Sequence, residues 1–178
     1  MNTDKFDRIL TWIAEDDAAR VPTDRPDLVD FDDVMDSDFS NISTTSAFPG
    51  DAFSAETFVR NNGTASAGSY EVSFYASTND IISTGDTLLG STTISSTNPF
   101  NFSGAQISVN LPSNLAAGDY YIGWIIDSGS QVGEFLEGNN IGLATEQLTI
   151  EEIDDDHGND SASATFTSAP FLLSLIHI

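Results

Sequence analysis

The chain contains no cysteine, and its 178 residues include only five Lys and Arg against 28 Asp and Glu. Without cysteine there can be no disulfide and no thiolate metal site. The scarcity of cations argues against nucleic-acid binding, because phosphate contacts need Lys and Arg. All five cations lie at or before Arg60, the formal net charge is −23 and the isoelectric point is about 4.1. An anionic membrane surface would repel such a chain. Histidine is scarce too, with only His157 and His177. A zinc site needs three or four ligands, and a Ser or Thr nucleophile needs an adjacent base, so neither chemistry is supported. No apolar run approaches the roughly 20 residues a bilayer requires. The opening MNTDKFDRIL has no basic region followed by an apolar one, so it does not read as a secretory signal.

What is present is mainly strand pattern. The length suits one ordinary domain with flanking pieces. A core of roughly 120 residues could bury about two-thirds of its unfolded surface without staples. Asp4 to Val21 is expected to be a helix, with Phe6, Ile9, Leu10 and Ile13 at helical spacing, Thr3 as N-cap and Pro22 as its stop. PTDRPD is a linker by composition. From Asp27 the apolar period falls to two. Strands are expected at Leu28–Phe31, Asp38–Thr44, Ala52–Asn61, Gly68–Ser77, Asp86–Ser95, Ala105–Leu111, Tyr120–Asp127 and Ile141–Ile150. Pro49-Gly50-Asp51, Asn61-Asn62-Gly63 and Gly118-Asp119 supply turns. Strands about ten residues apart with no helix between them predict an all-β, immunoglobulin-like antiparallel sandwich of about seven strands. In this pattern Trp124 is a core anchor.

Several separate motifs then occur in one order: Pro26-Asp27-Leu28, Pro49-Gly50-Asp51, VRNNGTASAGSYEVSFYAS, DTLLG, LPSNLAAGDYYIGWIID and EGNN. Together they resemble the CARDB family, the cell-adhesion-related domain found in bacteria. The resemblance covers roughly residues 26 to 150. It implies an immunoglobulin-like fold inside large exported or surface proteins, often in tandem and often beside catalytic domains. It does not imply an enzyme. Many members carry Lys and Arg on the strands, and this chain has none after Arg60. A second resemblance follows: EIDDDHGNDSASAT is similar to the opening of pre-peptidase C-terminal domains, which are appended to secreted peptidases. The last six residues, LSLIHI, are what CTGTCTCTTATACACATC encodes, which resembles a sequencing adapter. The expected organisation is therefore helix and linker at 1–25, sandwich at 26–152, acidic linker and truncated second domain at 153–172, and adapter sequence at 173–178.

The candidate chemistry is limited to oxygen ligands. Asp154, Asp156, Asn159 and Asp160, with Asp155 among them, put hard donors on a Gly-containing loop and are the candidate ligands for calcium, which takes six to eight oxygens. The competing reading is a solvated acidic linker. Asn79, Asp80 and Asp86 form a second oxygen cluster, for which turn capping through side-chain-to-backbone hydrogen bonds is the plainer account. Glu137, Asn139 and Asn140 are expected to satisfy backbone groups in a tight turn. No catalytic residue and no cofactor other than calcium is expected. The functional expectation is a non-catalytic accessory, adhesion or spacer module of a secreted or surface bacterial protein. The alternatives are a fragment of an exported peptidase and a calcium-dependent carbohydrate-binding domain. Partners would be neighbouring domains, or an extracellular protein or glycan, with no nucleic acid and no membrane insertion.

Overall fold

The computed structural model describes residues 24–32 and 40–152. Their elements are nine strands: β1 Leu28–Asp30, β2 Asn41–Ile42, β3 Ser46–Ala47, β4 Ala52–Asn61, β5 Tyr70–Ser77, β6 Thr87–Ile94, β7 Phe102–Asn110, β8 Gly118–Ile126 and β9 Ile141–Ile150. The expected all-β sandwich is what forms. The strands beyond the expected seven or so are short pieces, two residues each in β2 and β3. The helix expected at Asp4–Val21 lies outside the described residues, as do Asp38 and Phe39 at the start of the expected Asp38–Thr44 strand, the calcium candidates and LSLIHI.

One sheet is built on β4, which pairs with β7 along nearly its whole length and with β1 and β2 on its other edge. The other sheet runs β3-β9-β8-β5-β6. All pairs are antiparallel except β3 with β9, where Ser46 and Ala47 lie beside Thr149 and Ile150. β4 shows why these residues make this fold. Phe53, Ala55, Thr57, Val59 and Asn61 are buried, while Ser54, Glu56, Phe58 and Arg60 are partly exposed. A pleat sends alternate side chains to opposite faces, so this alternation can bury only one face. β5 lies between β8 and β6 in the second sheet and is buried on both faces from Val72 to Ser77.

The core lies between the sheets. Trp124, Tyr70, Phe74, Ile122, Ile126, Leu148 and Ile150 are its largest fully buried side chains in the second sheet, and Leu28 and Val59 answer them from the first. Phe74 and Trp124 are cross-strand neighbours whose rings lie 6.0 Å apart and tilted by 51°. Such pairs add to the stabilisation of area burial alone. Trp124 is thus a core anchor, as expected. It sits so close to β9 that a Cβ on Gly142 would come within 2.1 Å of its indole nitrogen, which leaves glycine as the residue that fits there.

The connectivity puts the two ends of the domain at opposite ends of the sandwich. Leu28 pairs with Asn61, the last residue of β4. Ile150 pairs with Gly118, the first residue of β8, and with Ala47. Between these levels lie strands of nine or ten residues, roughly 30 Å of chain.

Candidate functional site

The densest polar constellation is at the end where the chain comes in. Asn61 is its hub. The sequence reads Asn61-Asn62-Gly63 as a simple turn; here the Asn61 side chain is completely buried. Its Oδ1 accepts from Asp27 N–H at 3.1 Å and Gly63 N–H at 2.9 Å. Its Nδ2 donates to the carbonyls of Ala65 at 2.8 Å and Thr97 at 2.9 Å. One amide therefore ties the incoming segment, the β4–β5 connection and the β6–β7 connection together. Backbone groups complete the grip: Asn62 N–H donates to Asp27 C=O at 2.7 Å, Thr64 N–H to Arg25 C=O at 3.0 Å, and Phe135 N–H to Pro26 C=O at 3.0 Å. Gly63 is packed so tightly that a Cβ there would lie 2.3 Å from the Arg25 carbonyl oxygen.

The loop after β8 supplies the other half. Asp127, in the left-handed region at φ 50°, accepts from Gln131 N–H and Val132 N–H at 2.8 and 2.9 Å and shapes the turn. Glu134 follows, and it is 3% exposed. Its carboxylate accepts from Leu28 N–H at the start of β1 and from Asn140 Nδ2 at 2.7 Å. Burial pushes its pKa up to about 7. The Leu28 and Asn140 bonds oppose that rise, and the charges of Glu137 and Asp127 add to it. Glu137 Oε1 accepts from Glu134 N–H at 2.9 Å, and Asn139 Nδ2 donates to Asp27 Oδ1 at 3.2 Å. The Oδ1 atoms of Asn139 and Asn140 are buried without a hydrogen-bond partner.

A smaller buried polar set lies inward. Asp30, 1% exposed, accepts from Trp124 Nε1 and Thr57 Oγ1, each at 3.2 Å. Tyr70 shares a 2.7 Å hydrogen bond with Thr97, and burial pushes its pKa up to about 12. These groups hold strands to one another. Among the described residues there is no histidine. Among those same residues, no three His, Cys, Asp or Glu side chains are grouped so as to hold a metal ion.

The expected site residues fare differently. Asp154, Asp156, Asn159 and Asp160 lie outside the described residues. In the second oxygen cluster, Asn79 Oδ1 accepts from Ile81 N–H at 2.8 Å, and Asp86 Oδ2 accepts from Ser83 N–H at 2.7 Å and Ser83 Oγ at 2.9 Å. Those bonds are turn caps, the plainer reading. Glu137, Asn139 and Asn140 do serve structure. Their reach is longer than a local turn, however: Asn139 contacts Asp27, 112 positions away. Glu134 is the residue that sequence reasoning missed. Its one signal was a lone carboxylate between apolar Val132 and Phe135.

The sequence profile of the CARDB family matches residues 26–143, well over half of the chain and the whole span from the incoming segment into β9. The chain belongs to the CARDB family. Two solved CARDB-like structures are similar in outline. The CARDB domain of a Pyrococcus furiosus protein, solved in complex with di-metal ions, is 20% identical, with 71% of this chain and 90% of that one covered and a TM-score of 0.47. A domain of a Methanosarcina acetivorans protein named for the cell surface is 18% identical, with 72% and 94% covered and a TM-score of 0.47. A search of curated proteins finds no match.

Proposed function

We propose that this CARDB domain is a non-catalytic spacer or adhesion module of an exported or cell-surface bacterial protein. The observation that carries the reading is the placement of its two ends. The chain enters beside Asn61 and Glu134 and leaves beside Gly118 and Ala47, at opposite ends of the sandwich. A domain so connected extends a protein along its own length, roughly 30 Å per copy. The incoming segment is bound from Asp24 to Leu28 by backbone and side-chain hydrogen bonds, so it meets the sandwich at a set angle rather than through a free hinge.

On this reading the buried carboxylates and amides serve attachment, and whatever chemistry the parent protein performs belongs to its other parts. An exported context follows from the family's usual setting and is compatible with the acidity. The acidic segment Asp154–Asp160 is the place for calcium, if calcium stiffens the next connection. The test is a distance measurement on the full chain. The chain has no cysteine, so Asp24→Cys and Glu152→Cys accept spin labels without interference. Pulsed electron resonance should give one narrow distribution centred near about 35 Å, the length of the strands plus label arms. A broad distribution, or one centred below about 20 Å, overturns the reading.

A further inference from the structure

Charge is unevenly spread on this chain. Between Asp86 and Asp119 there is no Asp, Glu, Lys, Arg or His at all. That stretch is β6, β7, the connection between them and the connection on to β8. Both are outer strands, one in each sheet. They lie on the same side of the sandwich, since a Cβ on Gly90 of β6 would come within 3.1 Å of Val109 Cγ1 of β7. One side of a molecule with net charge −23 is thus built from uncharged strands. It also presents Leu88, Phe100 and Phe102, each about half exposed or more.

β7 has a second property. It is nine residues long, with an unbroken register against β4. Among the described residues no strand pairs with its other edge. Outer strands of this length usually carry Lys, Pro, a bulge or an inward charge that blocks pairing with another chain. FSGAQISVN has none of these. The short strands β1, β2 and β3 expose little edge by comparison.

The direction of the free groups can be read from the ends of the β4–β7 pair. Leu111 N–H donates to Asp51 C=O, and Asn61 N–H donates to Asn101 C=O. Antiparallel pairing alternates, so odd-numbered β7 groups point at β4 and even-numbered ones point at the free edge. Phe102 N–H bears this out, being bonded to the Asn101 side chain rather than to β4. Gly104, Gln106, Ser108 and Asn110 are left aimed outward, and all four side-chain positions are exposed.

We propose that β7 is a self-association edge, along which two copies of this chain pair antiparallel about a two-fold axis through Gln106. Outward groups must meet outward groups, and an axis through Gln106, the middle residue of β7, lets the whole strand pair. Gln106 faces Gln106, Gly104 faces Ser108, and Phe102 faces Asn110 of the second copy. The inner face then sets Ala105 against Ile107, continuing the apolar layer. A second copy suits this edge because the contact is symmetric and the β7 residues that meet across it carry no charge; the nearest charges, Glu56 and Arg60, lie one strand back on β4. Approach through the acidic sides of two such molecules works against strong like-charge repulsion.

Sedimentation of the full chain over a range of concentrations tests this. A monomer–dimer equilibrium is expected, and it tightens as salt screens the residual repulsion. A monomer at every concentration and salt level overturns the proposal. Gln106→Glu places two carboxylates face to face on the axis and should raise the dimer Kd roughly two- to fivefold. Thr145→Glu adds the same charge on β9 and should leave the Kd unchanged; equal effects from both overturn the assignment of the edge. Hydrogen exchange supplies a readout free of substitutions. The amides of Gly104, Gln106, Ser108 and Asn110 should gain protection as concentration rises, while Ala105, Ile107 and Val109 stay protected throughout. Concentration-dependent protection located elsewhere sinks the proposal.

Discussion

The incoming end of the sandwich and its β6–β7 side solve opposite problems with opposite residues. At the incoming end, Asn61, Asp127, Glu134 and Asn140 are all less than a tenth exposed, and hydrogen bonds between distant segments close the structure. β6 and β7 contain no charged residue, and the outward groups of β7 are left unpaired by any described strand. A buried polar group without a partner costs more than a satisfied one gains. The first region is therefore specific and intolerant of change, while the second is permissive within the monomer. Substitutions should separate the two.

The largest effect is expected at the hub. Asn61→Ala strands Asp27 N–H, Gly63 N–H, Ala65 C=O and Thr97 C=O, and should cost about 4 kcal/mol in urea unfolding. A loss under about 1 kcal/mol would mean that water replaces the amide and that the hub is not a specific lock. Gly63→Ala comes next, at about 3 kcal/mol, since the backbone of Arg25 to Asp27 must move away from the new methyl. Amide exchange at Leu28–Asp30 should rise with it; unchanged exchange there would show that the incoming segment is held by something else.

Glu134→Gln is a smaller and pH-dependent change. The folded-state pKa is raised above its ordinary value of 4.5 to about 7. Its stabilising contribution is thus complete below pH 4.5 and disappears as pH rises through 7. Between those values the native protein should lose about 2 kcal/mol relative to Glu134→Gln, after allowance for water reaching this end of the sandwich. Parallel stability profiles for the two proteins would refute the assignment. The smallest effect belongs to the permissive side. Gly104→Ala places its methyl at ordinary contact distance, 3.4 Å from the Phe58 ring, and should change stability by less than about 1 kcal/mol. A loss like that of Gly63→Ala would erase the contrast between the two regions.

How much could be read in advance varies by element. β4 was legible to the residue, because alternation over ten positions admits one register. The limits of β9 were legible as well, although its alternation lapses at Thr145–Gln147 and its pairing with β8 shifts register. β7 was expected at Ala105–Leu111 and begins earlier, at Phe102. The pair Ser103 and Gly104 carries too little apolar signal to extend a strand. β3 was not legible, since Ser46 and Ala47 become a strand only by lying beside the end of β9. Trp124 was legible as core. Glu134 was not, because its role is set by Leu28, 106 positions away. The roles of Asn139 and Asn140 as structural groups were legible in kind, but their partners were not.

The alternating pattern, the turn residues and the ordered motifs were enough to establish a CARDB sandwich without cysteine, because pleat and turn chemistry act over a few neighbouring residues. Which acids and amides are buried, and which strands share a side, depended on the packed structure. Desolvation and pairing are set by neighbours in space, and these lie as far apart in the chain as Asp27 and Asn139. The same packing brought β6 and β7 to one side, turning a charge-free stretch of sequence into a charge-free pair of strands.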